Sequence, residues 1–392
     1  MAYIYVTENR FCSDDSTALR IFTFCKILHE SGKDVIVISL DENVNHVIHQ
    51  YKGIKYITLR SPSNSFLSRL LNLVLHTNRL KKSLRMLSKD YDIENIFFYD
   101  IPPLSTLYLK RYAKTKKVKI FHDSVEWYSP QQFTWGRLAI PYMLKDLLNR
   151  YLLDRQVKVI AISKYLYSYF HSKGIAVTRI PIVLDLETVN AQKNIPTAKL
   201  ILMYAGSPGK KDYLNEMVEG LSMLNQEELN RIEFNIFGVT ETQLSKQCNV
   251  SSEAIRKCGA SLVIHGRVTR EKVMKYLQTA DFTILLRSTE LRYAKAGFPT
   301  KVVESLATGT PVICNITSDL GEFLTDGKDA LIVDSCSPNA FKEAIQRALK
   351  ISPTEKQLMF RNARETAEHN FDYKIYLEQF SSFIKGGNTS VN

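Results

Sequence analysis

Short runs of β-branched and aromatic residues alternate with longer helical stretches along almost the whole chain, and this alternation constrains the fold more than any single motif. The runs 3–6 and 35–39 flank a helical segment at 17–30; runs at 54–59, 96–99, 118–121 and 157–163 follow, with helical segments at 66–87 and 164–172. A second series takes in 200–205, 232–237, 262–264, 280–286, 311–314 and 330–333, with helices at 273–279, 338–349 and 353–371. Repetition of strand, helix and strand calls for parallel sheets with crossover helices, and puts ligands at the carboxyl ends of the strands. At 392 residues the chain is longer than one core usually supports. The stretch 180–196, punctuated by prolines, separates the two series and reads as a linker. The expectation is an α/β protein of two Rossmann-like, doubly wound domains, 1–185 and 186–372, with 373–392 as a terminal segment.

Within the second series, residues 294–313 read as loop, helix and strand. Gly297 and Pro299 break what precedes, Thr300 can cap, Val302, Val303 and Leu306 supply an apolar face, and Gly309 ends the helix. Amides 297–301 would then lack intrahelical partners, which suits an anion. Glu304 stands about one turn into the helix, and a carboxylate accepts both hydroxyls of a vicinal diol. The pair fits a nucleotide, with diphosphate at the helix start and ribose on Glu304; an ordinary αβ unit with a solvated Glu304 fits the same spacing. The Gly-rich turn 206–212 carries Lys210 and Lys211 into a helix, as point charges for a diphosphate or as solvated lysines. Arg287, at the end of the run 280–286, serves a phosphate or a salt bridge. In the first series, His122 and Asp123 follow a strand, with Glu126 and Trp127 close behind. An imidazole oriented by a carboxylate would position or deprotonate an acceptor hydroxyl; a structural histidine is the competing account.

The Gly297-Phe298-Pro299 loop, leading to a helix that ends in Ala307-Thr308-Gly309-Thr310-Pro311-Val312, resembles the signature of retaining GT-B glycosyltransferases of the family 4, or group 1, type. The turn 206–212 is similar to that family's phosphate clamp, with Lys211 matching its lysine and Ser207 standing where an arginine is usual, so that Lys210 or Arg287 would complete it. His265, with the two residues after it, resembles the turn that lines the base, and His122-Asp123 resembles a His-Asp pair at the domain cleft. The resemblance implies two domains facing across a cleft, acceptor in the first and donor in the second, with a terminal helix at 371–384 crossing back to the first. It implies a nucleoside-diphosphate sugar as donor substrate (a UDP-sugar or another), retention, no cofactor and no metal; no Asp-x-Asp motif is present. Donor contacts would fall on Gly206, Lys210, Lys211, His265, Arg287, Gly297, Phe298, Pro299, Thr300 and Glu304. Catalytic roles would fall on His122 and Lys211, acceptor contacts on Asp123 and Glu126.

Two departures qualify this. Ala296 stands where the family usually has a glutamate facing the donor sugar, and Glu290 is too far upstream to replace it. No Gly-Gly pair and no G-x-G-x-x-G follow the first strand, so a nicotinamide fingerprint is absent and residues 9–15 form that loop. A sugar-nucleotide epimerase of the same architecture stays open, as does an inactive partner subunit, which Ala296 and Ser207 favour and Glu304 and Lys211 oppose.

The net charge of +12 lies almost wholly in residues 1–195, where 28 Lys and Arg face 17 Asp and Glu. A basic half points to an anionic partner, nucleic acid or membrane surface, or to charge kept for solubility. Residues 66–87 are apolar on a broad face, with Arg69, Arg79, Lys81, Lys82 and Arg85 elsewhere, which suits a membrane-surface helix or a packing helix. No stacking or groove-reading motif accompanies the charge, so nucleic acid is not expected. No apolar run reaches the length of a membrane span, no signal pattern precedes residue 3, and the six cysteines are scattered. The expected place is the cytoplasm, peripheral on the inner face of the plasma membrane. The expected acceptor is a saccharide or lipid-linked saccharide in capsule, exopolysaccharide or cell-wall glycan synthesis.

Overall fold

Eight strands form the sheet of the first unit in this computed structural model, which describes residues 1–13, 15–41, 47–60, 66–193, 199–206 and 211–386. They are β1 (Ala2–Thr7), β2 (Asp34–Asp41), β3 (His49–Tyr51), β4 (Ile54–Arg60), β5 (Ile93–Tyr99), β6 (Lys119–Ser124), β7 (Val157–Ala161) and β8 (Val177–Arg179). Their order is β3-β4-β2-β1-β5-β6-β7-β8, parallel except for β3 against β4. All six residues of β1 are buried, as a central strand covered on both faces requires. The chain winds outward in both directions from β1 and β5, which makes their carboxyl ends the switch point of this sheet.

The helices of this unit are α1 (Ser16–Glu30), α2 (Phe66–Asp90), α3 (Pro103–Lys116), α4 (Ile140–Leu147) and α5 (Lys164–Ser172). Asp15 starts α1 by accepting from the amides of Thr17 and Ala18. A last helix, Leu377–Lys385, returns to this unit and sets Phe380 and Phe383 against Phe24, Phe97 and Phe121. The unit therefore comprises residues 1–183 and the segment from Tyr373 onward.

The second unit, residues 184–372, holds a six-stranded parallel sheet. Its strands are β9 (Leu200–Ala205), β10 (Ile232–Phe237), β11 (Leu262–Gly266), β12 (Phe282–Leu285), β13 (Val312–Cys314) and β14 (Ala330–Ile332), in the order β11-β10-β9-β12-β13-β14. The switch point falls between β9 and β12. The core takes Leu202 and Tyr204 from the central strand, Phe234 and Ile236 beside it, and Phe341 and Ile345 from the helix Pro338–Lys350. Strands β3 and β8 were not expected from the sequence: three residues each give no readable period. The helix read at 273–279 starts earlier, at Arg270, because Thr269 caps it through the amide of Lys272.

Candidate active site

Three glycines line the carboxyl ends of β9, β10 and β11 and let the backbones approach. The Gly238 amide donates to the Gly266 carbonyl at 2.7 Å, and the Gly206 amide to that of Phe237 at 3.0 Å. A Cβ on Gly238, whose φ is +96°, would lie 2.1 Å from the Gly206 oxygen; one on Gly206, with φ +153°, would lie 2.3 Å from the Lys301 ammonium. At Gly238 the obstacle is backbone and only glycine fits; at Gly206 it is the end of the Lys301 side chain, which a Cβ would push aside. The consequence is chemical, since Lys301 reaches under the Gly206 turn at the point where β9 ends.

Lys301 was not singled out from the sequence, nor was its partner Asp212. Asp212 is buried, with Lys301 Nζ 2.5 Å from Oδ2 and Arg287 Nε 2.6 Å from Oδ1. The Tyr204 hydroxyl donates to Asp212 Oδ2 at 2.7 Å and accepts from Lys301 at 3.1 Å. Burial by itself would raise the Asp212 pKa, but Lys301 and Arg287 hold it well below the usual carboxylate range. The Lys301 pKa is pushed down by its own burial, opposed by Asp212, and lowered further by Arg287 and by nearby Lys211. One buried carboxylate thus gathers two cations beside a third. Arg287 is fixed at its backbone as well, through a pair of hydrogen bonds with the Asn315 amide at 2.9 and 2.8 Å. The salt-bridge reading of Arg287 is the one present here.

The helix Thr300–Ala307 starts differently from expectation. Thr300 is its first residue and Pro299 precedes it, with no side-chain cap. The Gly297 amide is spent on the Tyr293 carbonyl at 3.0 Å, and proline has no N–H to offer. Among the described residues no partner accepts from the amides of Phe298, Thr300 and Lys301, so fewer amides are open at this helix start than the expected 297–301. Phe298 and Pro299 are buried, and the Phe298 ring packs on Phe323 and Phe371. One turn on, Glu304 meets Arg270, whose Nη1 donates to Oε1. Arg270 is a further residue the sequence reading missed; it reaches Glu304 from the start of its own helix. A cavity of about 390 Å³, counting the solvent at its mouth, is lined by Ala205, Lys301 and Glu304 together with apolar residues of β9, β12 and the 270–279 helix.

His265 stacks on Phe237 with ring centroids 4.2 Å apart and planes 6° from parallel, and its Nε2 lies 2.6 Å from Asn235 Oδ1. Burial, then Lys272, lowers its pKa, which keeps the ring neutral at physiological pH. Lys211 is partly buried; its carbonyl accepts from the Tyr293 hydroxyl at 2.7 Å. Lys210 and Ser207 lie outside the described residues.

The first unit corrects the pairing of His122 with Asp123. Successive residues of β6 point to opposite faces of the sheet, so the two side chains diverge. Asp123 is held by Arg20, with Nη2 2.7 Å from Oδ1, and by the Tyr5 hydroxyl at 3.1 Å; it is a buried structural ion pair. His122 is fully buried against Phe98, and neither ring nitrogen has a hydrogen-bond partner among the described residues. Burial, then Lys145, pushes its pKa well below the ordinary value. The structure thus does not pair the two: His122 is enclosed, and Asp123 is spent on Arg20 and Tyr5 rather than on orienting the imidazole.

The switch point of that sheet gathers other groups. The Glu8 amide donates to the Asp100 carbonyl at 3.3 Å, and Glu8 Oε1 accepts from Asn72 Nδ2 at 2.6 Å. Burial, then Asp100, pushes the Glu8 pKa up to about 8. Asp100 adopts the left-handed φ of +49°, which a non-glycine residue takes at a cost of ~1 kcal/mol. Lys145, 3% exposed, stands 3.6 Å from Asp100 and 3.9 Å from Glu126, and Glu126 also accepts from the Tyr128 hydroxyl at 2.7 Å. Glu126 is thus in a polar cluster, with Glu8 and Asp100 rather than Asp123.

Residues 185–366, nearly the whole second unit, match the model of the family glycosyl transferases group 1. A putative colanic acid biosynthesis glycosyltransferase, WcaL of Escherichia coli K12, is 23% identical over 114 residues, which is 29% of this chain and 28% of that protein. The chain spans about a third of the length of the curated relatives it matches. Among solved structures, sucrose-phosphate synthase from Thermosynechococcus elongatus superposes with a TM-score of 0.75 at 15% identity, covering 98% of both chains. Alr3699/HepE of Anabaena in complex with UDP gives 0.67 at 13% identity, covering 98% of this chain and all of that one. These likenesses give the fold: an α/β protein of two parallel-sheet domains, as in GT-B glycosyltransferases.

Proposed function

We propose, from the premise that the second unit is a group 1 glycosyltransferase domain, that the protein moves a hexosyl group from a nucleoside-diphosphate sugar to a saccharide hydroxyl with retention. The observation that carries this reading is the gathering of Lys301, Arg287 and Lys211 at the Gly206 end of β9, with Glu304 one helical turn further on. Lys301 and Arg287 would meet the diphosphate and Glu304 the ribose, while Arg270 holds the Glu304 carboxylate in place. His265 and the backbone at Gly266 would line the base. UDP is the nucleotide favoured first, since a structure of the same fold was solved with it.

The step is electrostatic. The bond from the anomeric carbon to phosphate breaks with its electron pair going to the leaving diphosphate, and Lys301, Arg287, Lys211 and the free amides at Thr300 and Lys301 stabilise that charge. The acceptor oxygen attacks the same face, and its proton passes to a phosphate oxygen. No side chain need act as nucleophile. Ala296, fully buried, offers no carboxylate to the sugar, so sugar recognition falls to other contacts. The acceptor is proposed as a lipid-linked saccharide in surface-polysaccharide assembly, with the basic first unit at an anionic membrane; the likeness to WcaL supports that pathway class.

The test is release of nucleoside diphosphate from a panel of donors with and without lipid-linked saccharide acceptors, and the anomeric configuration of the product by NMR. Acceptor-dependent release with a retained anomer supports the reading. A free epimerised sugar nucleotide, or donor binding without turnover on any acceptor, replaces it with one of the two alternatives.

A further inference from the structure

Among the described residues, the exposed large apolar side chains divide unequally: the second unit shows Met223 and Leu358, whereas the first shows Leu71, Leu104, Leu107, Trp135, Leu138 and Met143 among others. Those six come from three elements that all begin at the carboxyl edge of the first sheet, after β4, β5 and β6. The exposed line of α2 runs Leu71, Val74 and Leu75, then Lys82 and Arg85; that of α3 runs Leu104 and Leu107, then Arg111 and Lys114. Both lines follow helical spacing, and both pass from apolar to basic in the same direction. The helices are held level, because Ser105 Oγ lies 2.8 Å from His76 Nδ1 and 2.9 Å from Thr77 Oγ1. Neither helix carries an acidic residue before Asp90.

The third element is the arm 133–151. Trp135 is 75% exposed and Leu138 73%, on either side of exposed Arg137. The arm is anchored from behind by Trp127 Nε1 donating to Asp146 at 2.9 Å, and it ends beside α3, where Lys110 donates to the Leu152 carbonyl at 3.1 Å. A firmly seated arm that shows tryptophan and leucine to solvent is built to insert them somewhere.

We infer that this three-part face of the first unit docks on an anionic lipid bilayer, with the Trp135–Leu138 turn and the leading turns of α2 and α3 entering the interface and the basic trailing turns meeting lipid headgroups. The zonation decides the occupant. Apolar lines that pass into cations, with no carboxylate on α3 or on α2 before Asp90, complement a surface with a hydrocarbon interior and negative headgroups, and tryptophan favours that boundary. The inference deepens the lipid-linked-acceptor reading and relocates its membrane contact. Leu80, Leu84 and Leu87 of α2 are buried against the sheet, so α2 does not lie on lipid as an isolated amphipathic helix.

The protein has two tryptophans, and Trp127 is buried, so Trp135 dominates the solvent-exposed fluorescence. With the full chain, vesicles of phosphatidylglycerol and phosphatidylcholine should shift the emission to the blue and cut iodide quenching several-fold, whereas pure phosphatidylcholine should not. Flotation with the mixed vesicles should fall at least tenfold for a Trp135→Asp, Leu138→Asp variant, and at low salt for Arg111→Glu, Lys114→Glu. Equal binding to both vesicle types, or undiminished flotation of the variants, overturns the inference. So does a wild-type dimer that the Trp135→Asp variant dissolves, because the face then belongs to a second copy. Nucleotide-sugar thermal shifts measured on the same variants keep the two readings apart: loss of those shifts in the wild type refutes the donor reading and leaves docking to be judged by flotation.

Discussion

Asp212 decides whether the cations of the second unit are a site or a liability. Removing its charge leaves Lys301 and Arg287 buried without their counter-ion, which typically costs ~3 kcal/mol or more. Asp212→Asn should therefore lower the melting temperature, whereas Lys301→Ala, which leaves Asp212 paired with Arg287, should weaken donor binding at least tenfold for a smaller thermal cost. Calorimetry beside donor titration separates the two; equal effects of both variants on both quantities would contradict the assigned roles. Glu8 makes a pH prediction. Its folded pKa, about 8, lies above the unfolded value, so the folded state holds the extra proton and stability from this group falls as pH rises between about 4.3 and 8. Glu8→Gln should leave stability near pH 4 almost unchanged and raise it at pH 8, by an amount on the order of 5 kcal/mol, seen as a flatter profile of melting temperature against pH.

At the scale of elements, the glycine file at the ends of β9–β11 sets how closely the Lys301 ammonium approaches the turn. Gly238→Ala drives a methyl into backbone at Gly206 and should destabilise the second unit by ~2 kcal/mol or more while disturbing the donor site. Gly206→Ala is strained at φ +153° but meets side-chain ends rather than backbone, chiefly that of Lys301, and should cost less stability while still displacing the ammonium. Chemical denaturation of both variants, with donor binding of each, checks the order. Element-level reading of the sequence worked where periodicity is long, as in α2 and the helix Pro353–Asn370, and where Gly and Pro punctuate, as around residues 297–309. It failed where a partner comes from far along the chain. The Lys301 side chain went unremarked because Asp212 stands 89 residues away, and Asp123 looked like an orienting carboxylate because Arg20 stands 103 residues away. Read from the sequence, the strand that leads to His122 ends at residue 121; because β6 runs on to Ser124, side-chain alternation separates His122 from Asp123.

At the scale of the molecule, the terminal helix belongs to the first unit although it follows the second in the chain. Phe380, Phe383 and Ile384 are buried in that unit's core, so ending the chain at Asp372 should destabilise the first unit. The second unit, residues 184–372, should keep its own melting transition and its nucleotide binding; loss of both transitions together would contradict the division. The two-sheet organisation was legible because strands and helices alternate in two series, whereas the exact joint at residues 183 and 184 depends on which core Val183 enters. No helix among the described residues is long and apolar enough to cross a membrane.

The central claim is that the Lys301, Arg287 and Glu304 constellation holds a nucleoside-diphosphate sugar, and thermal denaturation with uridine, guanosine and thymidine diphosphate sugars tests it most directly. Ligand at a hundred times its Kd stabilises the folded state by ~2.7 kcal/mol, which for a unit of this size is a rise of ~5–10 °C. The account predicts such a rise with one base class, reduced at least tenfold in affinity by Lys301→Ala and by Glu304→Ala. No rise with any of these sugars, or a rise that both variants leave intact, would contradict it.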